Sequence, residues 1–132
     1  MTLAALLAAA VLSHAGAKQP TIPSCLLRPV APEEIVLACG DGNFSLESLR
    51  WKGWGAATAT AAGVVHENDC KPYCAAGHFH DYPVTVAATA LKSCKAGRRQ
   101  YTGLSWRYTG RRPPGGRAGD AVTLNCAWPK QQ

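Results

Sequence analysis

The sequence predicts an all-β fold, a small disulfide-stabilised β-sandwich or barrel behind an N-terminal signal peptide. Three observations predict it. Short apolar runs with period-two alternation and β-branched residues recur at close spacing, parted by Gly, Pro and Asn turns. No convincing helical period follows the leader. All six cysteines lie beyond that leader: Cys25, Cys39, Cys70, Cys74, Cys94 and Cys126. An even count in an exported chain reads as a disulfide framework, because export delivers thiols to an oxidising compartment. Spacing alone does not choose the pairing.

The 132-residue length fits one domain. Thr2 to Leu12, TLAALLAAAVL, is nearly unbroken apolar sequence. It has the length of a signal-peptide core and falls short of the ~20 residues that span a bilayer. Ala15-Gly16-Ala17 fits the small-residue cleavage pattern, so the expected cut follows Ala17. No other run is as apolar, and the mature chain is expected to be secreted without a membrane span. The predicted organisation is a signal peptide over 1–17, a proline-rich arm over 18–33 and one β-rich domain over 34–132.

The arm carries Pro20, Pro23 and Pro29, which remove backbone donors and fix φ, so it reads as extended. Cys25 is placed to tie it to the body. Glu34 to Ala38 is the first expected strand, and Gly40-Asp41-Gly42-Asn43 supplies a turn. Leu46, Leu49 and Trp51 do not alternate cleanly, but Leu49 and Trp51 share a strand face. Trp54 to His66 reads as a strand. Thr58, Thr60, Ala62 and Val64 form one face, and Ala57, Ala59, Ala61 and Gly63 form a small-residue face that lets a backbone approach closely. Asn68 to Pro83 reads as a loop, Val84 to Leu91 as a strand, and Lys95 to Arg98 as a hairpin connection. Arg99 to Tyr108 is the clearest strand, since Leu104, Trp106 and Tyr108 alternate with Gly103, Ser105 and Arg107. Gly110 to Gly119 is a basic loop. Asp120 to Trp128 closes the domain, with Val122, Leu124 and Cys126 on one face.

Several local patterns occur together in order: Leu37-Ala38-Cys39-Gly40-Asp41-Gly42, Leu49-Arg50-Trp51-x-x-Trp54, the Ala/Thr run ending at Gly63, Asn68-Asp69-Cys70-x-Pro72-x-Cys74-Ala75-x-Gly77, and Tyr82-Pro83-Val84-x-Val86. The set resembles a group of small uncharacterised secreted proteins of actinobacteria, over roughly Ile35 to Cys126. The resemblance implies export, disulfides and a compact β domain. It carries no catalytic residues over.

Charge is uneven along the chain, whose formal net charge is +6. Residues 18–91 hold Lys18, Arg28, Arg50, Lys52 and Lys71 and are slightly acidic overall. Residues 92–132 hold nine Lys and Arg against Asp120 alone. Arg98, Arg99, Arg107, Arg111, Arg112 and Arg117 are therefore the candidate polyanion-binding residues, since guanidinium groups fork onto phosphate or carboxylate oxygens. The loops that carry them flank one strand of about ten residues, which separates them to opposite ends.

His66, Glu67, Asp69, Cys70, Cys74, His78, His80 and Asp81 form the densest polar cluster. His78-x-His80 on a strand would turn both rings to one face, and two thiolates would complete a zinc set. Oxidation of the cysteines removes those thiolates, so no metal and no cofactor is expected, with His78 and His80 the only metal candidates. Asp41 to Glu47 lacks the glycine and glutamate of a calcium loop and reads as an Asx turn. Neither a nucleophile elbow nor a phosphate-binding loop is present, and no catalytic residue is assigned.

The leading expectation is a non-enzymatic secreted or envelope-associated binding protein. Its partner would be an anionic cell-envelope polymer or an extracellular protein, rather than nucleic acid. A protease inhibitor or toxin-like effector that uses Cys70-Lys71-Pro72-Tyr73-Cys74 is a second reading. A small hydrolase or metal-binding protein using the His66–His80 region is a third.

Overall fold

The computed structural model describes residues 18–126; the expected signal peptide and Trp128 lie outside them. Six antiparallel strands form one sheet in sequential order: β1 (Ile35–Val36), β2 (Phe44–Lys52), β3 (Ala59–Asn68), β4 (Phe79–Ser93), β5 (Arg99–Tyr108) and β6 (Gly119–Thr123). Each strand therefore pairs with its neighbour in the chain, as short turns dictate. The all-β prediction holds, and the sheet curls around a single core. Phe44 of β2 meets Trp106 of β5 with ring centroids 5.6 Å apart, although those strands are not neighbours. That contact crosses the interior.

The arm fills the gap between the sheet's two edges. Thr21 bridges Gln100 of β5 in parallel, donating to Arg99 O and accepting from Tyr101 N, each at 3.0 Å. On the other side Ser24 Oγ accepts the Val36 N–H of β1 at 2.9 Å. Ile22 and Pro20 are fully buried. The prolines do not leave the arm free; they shape a segment that joins β1 to β5 and covers edges that would otherwise expose unpaired backbone. Cys25 bonds Cys39, as its position suggested, and Cys94 bonds Cys126 to hold the segment after β6 against the β4–β5 turn.

The uneven pattern of β2 has a structural cause. Ser48 adopts φ 54° and forms a bulge, so Ser48 and Leu49 together stand opposite Gly63. The extra residue puts both Leu46 and Leu49 into the core, three positions apart, and turns Arg50 outward. Gly63 permits this. A Cβ there would lie 2.7 Å from Glu47 O and from Leu49 Cδ2. The inward face of β3 is the expected small-residue face: Ala59 and Ala61 are buried while Thr60 and Ala62 are exposed.

Several boundaries differ from expectation; β1 shrinks from the expected Glu34 to Ala38 to Ile35–Val36. β3 begins at Ala59, because Gly53 and Gly55 at positive φ keep Trp54 to Thr58 in a turn. The predicted loop over Asn68 to Pro83 is shorter: β3 runs through Asn68, and β4 starts at Phe79 and pairs Asp81 with His66. Pro83 is tolerated inside β4 because its ring nitrogen lies on the β5 side, next to the point where β5 ends. β6 stops at Thr123, short of the expected Trp128, and Val122 and Leu124 pack against the core.

Candidate functional site

The curled sheet has two ends of different chemistry. At the arm end, the start of the arm, the β2–β3 turn and the β4–β5 turn come together. Tyr101 is fully buried; its hydroxyl donates to Ala56 O at 2.6 Å and accepts from Gly55 N at 2.9 Å. Trp54 packs edge-on to Trp51 and Tyr101 with centroids 4.8 and 5.0 Å away. Trp51 Nε1 donates to Pro32 O and Trp54 Nε1 to Pro20 O, at 2.8 and 3.0 Å. These aromatics thus plug the end and anchor the arm. Trp54 is packed beneath it rather than presented on the surface.

Around this plug stand Lys18, Arg28, Lys52, Lys92, Lys95, Arg98 and Arg99, with Glu33 and Glu34 as the nearby acids. Arg28 donates to Gln100 Oε1 at 2.5 Å. Partial burial and the charge of Arg98 lower its pKa, so two guanidinium groups stand close enough to feel each other. Arg99 donates to Gly55 O at 3.4 Å.

Arg107, Arg111, Arg112 and Arg117 lie at the other, loop end. The six candidate arginines therefore split into two groups at opposite ends of β5. There the arginines interleave with acids. Arg117 pairs with Asp120 at 3.1 Å, and Arg111 lies 5.4 Å over the Tyr82 ring while donating to Asp81 O.

The predicted histidine cluster also sits at the loop end, but the sheet divides it. His66 faces outward, 2.5 Å from Asp81 and stacked on Phe79. His80 lies on the face of Tyr82 and meets Asp69 at 3.0 Å. His78 precedes the strand and is exposed, so His78 and His80 do not form the paired strand face that metal binding needs. Cys70 and Cys74 bond to each other, which consumes both thiolates. Among the described residues no three His, Cys, Asp or Glu side chains converge as a metal site.

The bridged loop is organised by its own carboxylates and amides. Asn68 accepts from Cys70 N and donates to Cys74 O and Asn43 Oδ1. Asp69 accepts from the backbone of His78 and Lys71 and from His80. Those hydrogen bonds, His78 first, hold its carboxyl well below the usual range. Asp41 accepts from Asn43 N at 3.0 Å, the Asx turn that the sequence suggests.

Between this loop and residues 109–119, Phe44, Glu67, Trp106 and Tyr108 line a cavity of about 190 Å³. A neighbouring hollow of about 180 Å³ shares Glu67 and adds His80 and Tyr82. In the sequence Glu67 stands within the histidine-rich polar cluster and Trp106 on an alternating strand face, and neither was expected to line a cavity. The available signal was register: Glu67 continues the inward face of Val65, as Tyr108 continues that of Trp106.

The chain matches no family model, no curated protein and no solved structure. Three disulfides fit an extracellular setting. Among the described residues no helix is long and apolar enough to cross a membrane.

Proposed function

We propose that this is a secreted, non-enzymatic binding protein whose arm end engages an anionic polymer of the cell envelope, in keeping with the resemblance to small exported actinobacterial proteins. One observation carries the reading: basic residues far apart in sequence, from Lys18 to Arg99, gather at one end, while the loop end balances its arginines with acids. Concentrated like charge raises the local potential and draws in polyanions, with a strength that salt screens over ~10 Å at 0.1 M. Arginine at such a surface can clasp phosphate or carboxylate groups in pairs.

Immobilised heparin and polyphosphate serve as anionic probes. The oxidised protein should be retained on both at low salt and released as salt rises. Passage without retention at low salt would remove the reading and direct attention to protein targets, starting with proteases and the exposed Tyr73 in the Cys70–Cys74 loop.

A further inference from the structure

One guanidinium group of the arm end is held by a buried partner. Gln100 is fully buried, yet both polar atoms of its side chain fix what lies over it. Its Oε1 accepts from Arg28 Nη1 at 2.5 Å, and its Nε2 donates to Asn125 O at 3.2 Å. The backbone of Arg28 is constrained as well. It lies on the return limb of the arm, where Ile22 N donates to Pro29 O and Ser24 exchanges two hydrogen bonds with Leu27. The Cys25–Cys39 bond ties the tip of that limb to the body. Solubility requires charge, but it does not require a guanidinium group in a fixed place.

Arg98 stands beside it. Arg98 and Gln100 are two residues apart in extended backbone, so their side chains leave on one face, roughly 7 Å apart. Arg98 Nε donates to Lys95 O at 3.4 Å. Each of these anchors uses one of the five N–H groups of a guanidinium. Partial burial, and then the charge of Arg98, lowers the pKa of Arg28. Like charges held side by side repel, and an anion that touches both offsets the repulsion.

Two neighbouring guanidinium groups favour one kind of anion. A carboxylate is planar, carries one charge and fits one fork. A phosphate monoester carries about two charges near neutral pH and presents three acceptor oxygens. It matches two positive charges and accepts from two forks at once. Lys95 and Arg99 add positive charge beside Arg98, and no acid lies between Lys92 and Gln100 in the sequence.

We infer that Arg28 and Arg98 clamp one phosphate monoester group of the polymer that the arm end binds, so that phosphate-bearing chains are taken in preference to carboxylate-bearing ones. The clamp depends on the arm-end reading and narrows its ligand.

The test measures binding of the oxidised protein to dextran phosphate and to carboxymethyl dextran, matched in substitution, at one low ionic strength. The parent should bind the phosphate chain about tenfold more tightly. Arg28→Lys and Arg98→Lys keep the charge and remove the fork. Each should cut that preference to about threefold or less, with circular dichroism confirming the fold. Should one variant fail to fold, the other decides. Inorganic phosphate at the same group concentration should displace the chain only weakly, because it lacks the linked groups that the rest of the arm end holds. Equal affinity of the parent for both chains overturns the clamp and leaves the arm-end reading standing. An undiminished preference in a folded lysine variant does the same. Complete displacement by inorganic phosphate overturns the assignment to a polymer. Failure to bind either chain overturns the clamp and the arm-end reading together.

Discussion

Ser48 and Gly63 form one structural unit at the residue scale. The bulge at Ser48 directs Leu49 inward, and the bare Gly63 backbone makes room for it. Gly63→Ala should lower stability by about 1–3 kcal/mol, the usual cost of overpacking, in urea denaturation. Gly40→Ala, where a Cβ meets nothing within 4 Å, should change it far less. Asp69 makes a second prediction. Its folded carboxyl titrates below its unfolded value of ~3.9. Between those values the unfolded chain binds more protons, so the Asp69 contribution is complete above the unfolded pKa and fades as pH falls towards the folded one. Asp69→Asn should remove that part of the acid sensitivity, visible as a flatter dependence of the urea midpoint on pH below 4.

The elements show which signals survive in a sequence and which need partners. β5 was legible from Arg99 to Tyr108 because its core side chains alternate and are large. The first turns of β4 were not. Phe79 to Pro83 is rich in polar residues and contains proline, and only its pairing with β3 makes it strand. The arm was misleading in another way. Its prolines signalled extension correctly, but the burial of Ile22 depends on a gap between β1 and β5 that no local pattern describes. The loop-end cavity was hidden for the same reason, since Phe44, Glu67 and Trp106 meet only after the sheet curls. If the arm is structural, Ile22→Ala should cost about 2–5 kcal/mol. The Thr21 and Tyr101 amides, which bond across the arm–β5 junction, should exchange hydrogen as slowly as those of β3 and β4. Fast exchange at both would show that the arm is only loosely laid on the sheet.

For the molecule as a whole, the net positive charge has a location. The sequence shows a basic final third, and folding redistributes it along β5. Lys92, Lys95, Arg98 and Arg99 join arm and β2 residues at one end, while Arg111 and Arg117 settle among Asp81 and Asp120 at the other. Both ends are braced by a disulfide, Cys94–Cys126 at the arm end and Cys70–Cys74 at the loop end. The molecule thus presents a strongly basic face and, across the barrel, a charge-balanced one with an aromatic cavity. Binding to a polyanion should depend on the first face and be indifferent to the second.

The most direct measurement compares retention on immobilised heparin across a salt series for two double variants of the oxidised protein. Lys92→Glu/Lys95→Glu reverses two exposed charges at the arm end; Arg111→Glu/Arg112→Glu reverses two exposed charges at the loop end. We predict that the first loses affinity by about tenfold or more at low salt, while the second stays close to the parent. Equal losses, or a loss confined to the Arg111 and Arg112 variant, would contradict the assignment of binding to the arm end.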